Sequence, residues 1–368
     1  MANATTPQAH DASLDLAERI RQAGTDGTPL RIVGGDTRAF YGRDVEGSEL
    51  STREHRGISF YDPVELVVSV RSGTPLSELE ATLAEHNQML PFEPPRYGAA
   101  STVGGMVATG LSGPRRPWAG SVRDFVLGTR VINHEGLEQR FGGEVMKNVA
   151  GYDLSRLMVG AQGTLGLLAE ISFKVLPVPG ATHSLRLELS LDEARRRLIE
   201  WGREPLPISA AAWLDGALHL RLEGGPSSVS ATGARIGGDE LDNTFWTELR
   251  DQRLAFFGAG PLDENRAPLW RLSLPHQTAA LDLPGINESD MLHDWAGAQR
   301  WLHSDLDADA IRRACQAVGG HATCHGPRAA DVEPFTPLPE VVMKYHRNLK
   351  AQIDPKGIFN PGRLYAAF

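Results

Sequence analysis

The chain has 368 residues, of which 41% are hydrophobic and 23% charged, so its composition is that of an ordinary globular protein with one to three domains. Its net charge of −9 disfavours nucleic acid as a partner, because nucleic-acid binding needs a clustered basic surface. No apolar run approaches the roughly 20 residues of a bilayer-spanning helix, and the first residues carry no secretory signal. These features predict a cytoplasmic protein.

Predicted helices and strands alternate over the first half of the chain. An amphipathic helix at Leu14–Ala23 comes first, and Thr74–Glu78 predicts the start of a second helix, with Thr74 as its N-cap. Apolar or alternating runs predict strands at Leu30–Val33, Glu65–Val70, Phe125–Ile132, Leu137–Phe141 and Leu167–Leu176. This alternation predicts an α+β domain over residues 1–178.

The prolines of Pro177–Gly180 predict a linker to a small antiparallel α+β cap over residues 179–333. The cap has a predicted helix at Leu191–Trp201 and a last helix at Ala308–Val318. Its predicted strands include Ser184–Leu191, Ala210–Leu214 and Leu218–Leu222. Residues 334–368, which begin with a proline-rich loop and include a predicted helix at Val341–Ile353, are expected to return to the first domain.

Two glycine-rich stretches, residues 32–37 and 101–110, lie in the predicted α+β domain. Glycine lets bare backbone approach a bulky ligand, and successive backbone N–H groups form anion sites without lysine. Leu111 and Ser112 stand where a Walker A loop requires Lys-Ser/Thr, and no G-x-G-x-x-G fingerprint follows the first strand. Together with the glycines of Gly160–Gly166, these loops indicate a dinucleotide held by another fold, and FAD is the best candidate.

Five segments in order resemble the FAD-linked oxidases that have a PCMH-type, vanillyl-alcohol-oxidase-like flavin domain, and within them the flavin subunits of bacterial glycolate oxidases. The matching segments are Val33–Thr37, Ser101–Ser112, Lys147–Leu154, Gly160–Gly166 and Phe359–Tyr365. The resemblance implies a PCMH-type FAD-binding domain of two subdomains, followed by a cap and a segment that packs back on the FAD domain.

The resemblance also implies which residues contact FAD. The first loop would hold the pyrophosphate through its backbone, including that of Asp36, while the second loop lies along the isoalloxazine and ribityl chain. Trp118 either covers the flavin or fills a core, and Ile171 either contacts FAD through its backbone or is an ordinary core residue. No Cys or His lies in either loop, so non-covalent binding is expected. The implied FAD residues are Val33, Gly34, Gly35, Asp36, Thr37, Ser101, Thr102, Gly104, Gly105, Ala108, Thr109, Gly110, Ser112, Trp118, Gly163, Gly166, Ile171 and Asn360.

The segment His321–His325 fits no zinc-ligand spacing, so no metal is assigned to it. Related 2-hydroxy acid dehydrogenases carry H-x-G-D-G-N-x-H at the end of the cap, and this segment keeps a histidine but lacks the aspartate and asparagine. Arg271, on an otherwise apolar strand, either holds a carboxylate through two bonds or faces outward. His321 and Arg271 are the candidate base and carboxylate clamp.

The resemblance implies an FAD-binding subunit of a glycolate oxidase complex, in which a hydride passes from a short 2-hydroxy acid to flavin N5 and a 2-oxo acid forms. Two cysteines cannot hold an ordinary iron–sulfur cluster, so the expected partners are an iron–sulfur subunit and a homologous flavoprotein, peripheral to the inner face of the cytoplasmic membrane. The altered cap motif favours an alternative, a non-catalytic or electron-relay flavin subunit beside a sister catalytic flavoprotein. A nicotinamide-dependent flavin reductase is a third possibility, but no feature indicates a second nucleotide.

Overall fold

The computed structural model of the chain describes residues 9–143, 153–260, 263, 265–326, 328 and 331–368. Most of the predicted motif Lys147–Leu154 therefore lies outside the described residues. The described helices are Ser13–Asp26, Leu76–Glu85, Val103–Thr109, Arg116–Ala119, Val122–Phe125, Leu154–Leu157, Leu191–Trp201, Pro226–Ile236, Thr244–Arg250, Ala308–Ala317 and Glu340–Ile353. No described helix combines the length and the apolarity that a membrane crossing requires.

A five-stranded antiparallel sheet forms the centre of the first part of the chain. Its spatial order is Ile58–Asp62, Val67–Arg71, Leu167–Lys174, Val126–Ile132 and Glu138–Gly142. The central strand, Leu167–Lys174, is apolar along most of its length because both of its faces are buried. Leu168, Ile171 and Phe173 face the core formed with helices Leu76–Glu85 and Val103–Thr109, whereas Leu167 and Ala169 face a second core.

That second core contains the helix Ser13–Asp26 and a short parallel pair of strands, Leu30–Val33 and Ser48–Ser51. Residues from the end of the chain complete it, since Ile358 and Phe359 are fully buried there. The Leu30 amide donates to the Ile358 carbonyl at 2.7 Å, and the Asn360 amide donates to the Leu30 carbonyl at 3.0 Å. The C-terminal residues thus continue the sheet pairing of the first strand.

An eight-stranded antiparallel sheet occupies the second part of the chain and has more strands than the sequence patterns predicted. Its order is Asp239–Glu240, Ala181–Glu188, Ala217–Gly224, Ile208–Leu214, Leu292–Asp294, Gln299–His303, Leu269–Ser273 and His321–Cys324. Helix Leu191–Trp201 packs on it with Ala194 and Trp201 buried. The helices beside antiparallel sheets confirm the predicted α+β class.

The predicted N-cap at Thr74 was wrong by one residue. The helix begins at Leu76 and Pro75 is its N-cap, with no side-chain cap bond. The Thr74 hydroxyl instead donates to the Arg71 carbonyl at 2.7 Å and accepts from the Gly57 amide at 2.8 Å. Thr74 therefore closes the turn before the helix, a role that its spacing from Glu78 does not reveal.

Candidate functional site

A cavity of about 360 Å³ lies where the first strand ends, beside the helix Val103–Thr109 and the glycine turn at residues 162–168. This volume falls within the range of small-molecule sites. Most of the predicted FAD residues line it: Val33, Gly34, Gly35, Asp36, Thr37, Thr102, Gly104, Gly105, Ala108, Thr109, Gly163, Gly166 and Asn360. The two glycine loops and the turn, distant in sequence, therefore meet around one space.

The first glycine loop presents unbonded backbone donors to this cavity. Among the residues that the structure describes, none accepts a hydrogen bond from the backbone N–H groups of residues 34–38. All five residues line the cavity. Of these residues only Arg38 is buried, so most of the N–H groups are open to a ligand, and successive N–H groups along a concave wall form sites for anionic groups.

Close contact with the second loop explains the two glycines of the first. A Cβ atom on Gly35 would overlap the Ala100 carbonyl oxygen, and one on Gly34 would overlap the Thr102 hydroxyl. Gly35 does not have a positive φ angle, so its requirement for glycine is one of space. Both glycines therefore allow the two loops to pack against each other, and this packing shapes the cavity that the loops line.

Three arginines and two aspartates line the cavity: Arg31, Arg38, Arg363, Asp36 and Asp44. Burial lowers the pKa of Arg38 and of Arg363 to about 10, so both remain cationic at neutral pH. The Asp36 carboxylate lies 3.5 Å from the Arg31 guanidinium, so it has a cationic partner at the cavity wall. The positive groups outnumber the negative ones, as an anionic diphosphate requires.

Arg363 also fixes the segment that follows the first loop. Its guanidinium donates to the Arg43 carbonyl at 2.6 Å, to the Tyr41 carbonyl at 2.9 Å and to the Gln162 side chain at 3.0 Å. Sequence reasoning did not select Arg363 or Arg38, although Arg363 belongs to the matching segment Phe359–Tyr365. Its buried position at the junction of three segments could not be read from that segment alone.

The Asn360 side chain lines the cavity, but both ends of its amide bond protein groups. It accepts from the Ile32 amide at 2.7 Å and donates to the Gln162 carbonyl at 2.7 Å. Nearby, the buried Lys350 ammonium donates to Asp354 at 2.6 Å and to the Thr164 carbonyl at 2.7 Å. Asn360 and Lys350 therefore hold the first strand and the glycine turn in place.

A second, more open cavity of about 790 Å³ adjoins the first, and Thr37 lines both. Its wall includes Ser101 on the side of the glycine loops and Arg250 to Arg253 on the side of the eight-stranded sheet. The buried Ser101 hydroxyl accepts a hydrogen bond from Arg38 at 2.7 Å. A long ligand in the first cavity can therefore extend past Thr37 toward the second part of the chain.

The remaining predicted FAD residues lie apart from these two cavities. Gly110 ends the helix Val103–Thr109, and Ile171 is fully buried in the central strand. Trp118 is 38% exposed and lines none of the cavities described here. Ser112 lies next to a third cavity, where its hydroxyl accepts from the Val122 amide at 3.2 Å.

The third cavity has a volume of only about 20 Å³ and lies between residues 111–114 and the eight-stranded sheet. Arg271 and His325 line it from the sheet side, together with Asp294, and Tyr97 lines it from the opposite side. Tyr97 also lines the second cavity, so the two spaces adjoin. Burial raises the pKa of Asp294 to about 7 and that of Tyr97 to well above its usual range.

His325 is fully buried, and neither of its ring nitrogens has a hydrogen-bond partner among the described residues. Its ring centroid lies 4.9 Å from that of Tyr41 and 5.0 Å from that of Trp301. Burial, and then the charge of Arg271, lower the pKa of His325 well below 6.5, so the imidazole is neutral at physiological pH. Sequence reasoning missed this histidine, although it lies in the segment that was singled out.

The two predicted catalytic residues are placed differently. Arg271 is half-buried, lines the third cavity and, within the described part of the chain, forms no ion pair or side-chain hydrogen bond. His321 begins the strand at the sheet edge, is solvent-exposed and lines none of the cavities described here. The structure thus brings Arg271 together with His325 at the cavity, while His321 lies outside it, although partial burial and the Arg271 charge lower the pKa of His321 as well.

Residues 11–142 match a family model described as an FAD binding domain. Over 356 residues the chain is 53% identical to the glycolate oxidase subunit GlcE of Escherichia coli K12, covering 97% of this chain and 98% of that protein. It is 34% identical over 196 residues to the glycolate oxidase subunit GlcD of Bacillus subtilis 168, covering 52% of this chain and 41% of that one. A solved alkyldihydroxyacetonephosphate synthase has the same fold, with a TM-score of 0.70 at 17% identity, covering 96% of this chain and 76% of that chain.

Proposed function

This chain belongs to the family of the glycolate oxidase subunit GlcE, and from that membership and the geometry of its cavities we propose that it is the FAD-binding subunit of a glycolate oxidase complex. In this proposal it takes part in oxidising glycolate, or a similar short 2-hydroxy acid, to the 2-oxo acid. The observation that carries the cofactor assignment is the run of unbonded N–H groups at residues 34–38 along the first cavity.

The described residues fit FAD in three respects. Free backbone donors and a positive balance of side chains suit the pyrophosphate, and the adjoining cavities suit a ligand longer than a mononucleotide. The residues lining the first two cavities include no cysteine or histidine, which supports non-covalent binding.

Residues up to 168 together with Asn360 and Arg363 line the first cavity, which supports a division of the chain into an FAD domain over 1–178, a cap over 179–333 and a returning segment over 334–368.

Bound FAD would supply the two-electron acceptor that oxidation of a hydroxy acid requires. For the substrate, we assign Arg271 as the carboxylate clamp, because it is a half-buried guanidinium without a described anionic partner. We assign His325, rather than the exposed His321, as the base that takes the hydroxyl proton on a ring nitrogen. His325 is neutral, unbonded and beside Arg271 in one cavity.

One observation favours the alternative of a non-catalytic or electron-relay subunit. The third cavity, at about 20 Å³, has room for about one water molecule, so it must widen before a hydroxy acid can enter. If it does not widen, oxidation would take place on a sister flavoprotein, and this chain's flavin would relay electrons or support the assembly.

We expect the purified chain to be yellow and to release FAD, and no FMN, upon denaturation. We also expect anaerobic glycolate to bleach the visible flavin absorbance of the isolated chain. Chromatography of the released cofactor and anaerobic spectroscopy measure the two results separately. FMN in the extract would contradict the dinucleotide assignment, whereas FAD that glycolate cannot bleach would leave the cofactor assignment intact and favour the relay function.

The pH dependence of kcat/KM should identify the base. Because the pKa of His325 is lowered well below 6.5, activity should be lost only as the pH falls into the acidic range below that value. His325→Gln should reduce kcat by roughly 100-fold or more, in line with the contribution of a positioned general base. His321→Gln is the matched control, and an acid limb that disappears in His321→Gln but not in His325→Gln would restore His321 as the base.

The Escherichia coli relative is named as a subunit of glycolate oxidase, which supports the proposal that this chain works in a complex. We propose that the chain assembles with a homologous flavoprotein and an iron–sulfur subunit, and that these partners attach it to the inner face of the cytoplasmic membrane. Tagged protein from its native cells should bring down both partners in the membrane fraction, detected by mass spectrometry and by iron content. Recovery of the chain alone, with full glycolate oxidation towards an artificial acceptor, would contradict the complex.

A further inference from the structure

The turn after strand Leu292–Asp294 has an uncommon backbone. Trp295 and Ala296 both have φ of 54° and Gly297 has φ of 90°, so three successive residues adopt the left-handed region. A bulky side chain rarely adopts this conformation, and it persists only where surrounding contacts hold it. Such strain concentrates at functional sites.

Trp295 joins the eight-stranded sheet to the segment after the second glycine loop. Its indole N–H donates to the Gly113 carbonyl at 3.0 Å, and its side chain is 5% exposed. Its backbone N–H donates to the Asp294 carboxylate at 2.7 Å. The contact therefore crosses between two parts of the chain that both line the third cavity.

Two guanidinium groups lie over the same indole ring. The Cζ atom of Arg116 is 4.5 Å from the ring centroid and that of Arg271 is 5.7 Å from it. Arg116 comes from the helix Arg116–Ala119 beside the glycine-loop segment and is exposed, outside the third cavity, whereas Arg271 comes from the eight-stranded sheet and lines that cavity. Trp295 thus contacts one cation from the segment after the second glycine loop and one from the eight-stranded sheet.

Neither guanidinium is neutralised by an ion pair within the described residues. The Asp124 carboxylate acts on Arg116 only from beyond ion-pair distance, and it accepts hydrogen bonds from Ser121. Burial and the charge of Arg271 lower the pKa of Arg116, which agrees with two like charges close together. An arrangement of this kind is relieved when an anion binds between the cations.

We propose that Arg116 and Arg271 are the two arms of one carboxylate site, and that Trp295 is the positioning residue that holds both arms. The ligand class is a small carboxylate, here the carboxylate of the 2-hydroxy acid or of its 2-oxo product. This inference rests on the proposed function for the identity of the ligand. The anion site itself, however, can be measured without turnover.

The experiment compares equilibrium binding of glyoxylate and glycolate, by calorimetry under anaerobic conditions, in the FAD-loaded chain. Arg116→Gln and Trp295→Leu should each weaken binding by roughly tenfold, since each removes an arm or its support. Trp295→Phe keeps an aromatic face under the cations and should restore most of the affinity. In steady-state assays of the assembled complex, Arg116→Gln should raise KM while kcat changes little.

Two control variants separate the positioning role of Trp295 from a general loss of packing in the fold. Trp246 is also buried, lies 5.3 Å from the Cζ atom of Arg221 and donates its indole N–H to Ser184 at 2.9 Å. Trp246 lies outside the third cavity, so Trp246→Phe should not alter carboxylate affinity. Arg116 and Arg123 are both exposed, but only Arg116 lies over the Trp295 ring, so Arg123→Gln removes the same charge and should have no effect.

The outcomes distinguish the two proposals. Wild-type protein that binds glyoxylate but is not reduced by glycolate would reject catalysis by this chain and leave the anion site standing. Wild-type affinity in both Arg116→Gln and Trp295→Leu, an equal loss in Trp246→Phe, or no carboxylate binding by the wild-type chain would overturn the two-armed site.

Discussion

Gly35→Val is expected to abolish FAD binding. The new Cβ would overlap the Ala100 carbonyl oxygen, so the first loop could not stay against the second. The unbonded N–H groups at residues 34–38 would then lose their common orientation around the cavity. We expect the purified variant to contain no measurable FAD, as determined by the ratio of flavin to protein absorbance.

Because Gly35→Val also disturbs protein packing, a second variant tests the cavity itself. Gly105 lines the cavity, and the nearest atom to an added Cβ is the Thr102 hydroxyl at 3.3 Å. Gly105→Val should therefore fold but fill ligand space, and weaken FAD binding by roughly 100-fold, or ~2.8 kcal/mol.

Gly225→Val is the matched control for both glycine variants. Gly225 has open space around it and its φ of −70° suits valine. It should bind FAD as the wild-type chain does, with the same circular dichroism spectrum. A folded Gly105→Val protein with stoichiometric, tightly bound FAD would show that the cofactor lies elsewhere.

Arg271→Lys should reduce turnover of glycolate in the assembled complex. Lysine keeps the positive charge but loses the planar fork that can hold a carboxylate through two hydrogen bonds. The loss of one charge-assisted bond is worth about 1.5–3 kcal/mol, or roughly tenfold to hundredfold in kcat/KM. The variant thus tests the geometry of the clamp separately from its charge.

Arg313→Lys provides the control for this substitution, because the Arg313 side chain is 70% exposed. It should leave kcat/KM unchanged. Unchanged kinetics in Arg271→Lys as well would place the substrate on another subunit and support the relay function. The FAD content of Arg271→Lys should be measured beside its kinetics. We expect it to equal that of the wild-type chain, because Arg271 lines the third cavity and not the first.

The two glycine loops that line the first cavity stand out in the sequence because glycine-rich motifs carry their constraint locally. A Cβ atom on Gly35 would overlap a backbone carbonyl and one on Gly34 would overlap the Thr102 hydroxyl, and such steric requirements are visible in the sequence as glycine. Several strands and helices were also predictable from hydrophobic periodicity, since burial on one or both faces sets that period, whereas helices such as Pro226–Ile236 and the short strands of the second sheet were not predicted. The central strand Leu167–Lys174 is the clearest case, being buried on both faces.

The choice between two histidines could not be predicted from the sequence. His321 and His325 lie in one short segment, and only the surroundings separate an exposed edge residue from a fully buried one. The burial of His325 depends on Tyr41 and Trp301, which are remote in the chain. Arg363 illustrates the same limit, because its partners at Tyr41 and Arg43 lie 322 and 320 residues away.

The bond between Asn360 and the Ile32 amide spans 328 residues. During synthesis the first glycine loop is made more than 300 residues before the groups that fix it against the glycine turn, including Lys350 and Asn360. Contacts of such long sequence separation slow folding, because the entropy of closing the intervening chain opposes them. The first cavity therefore becomes complete only after residues 350–360 have been synthesised, so we expect FAD to bind after that segment is in place.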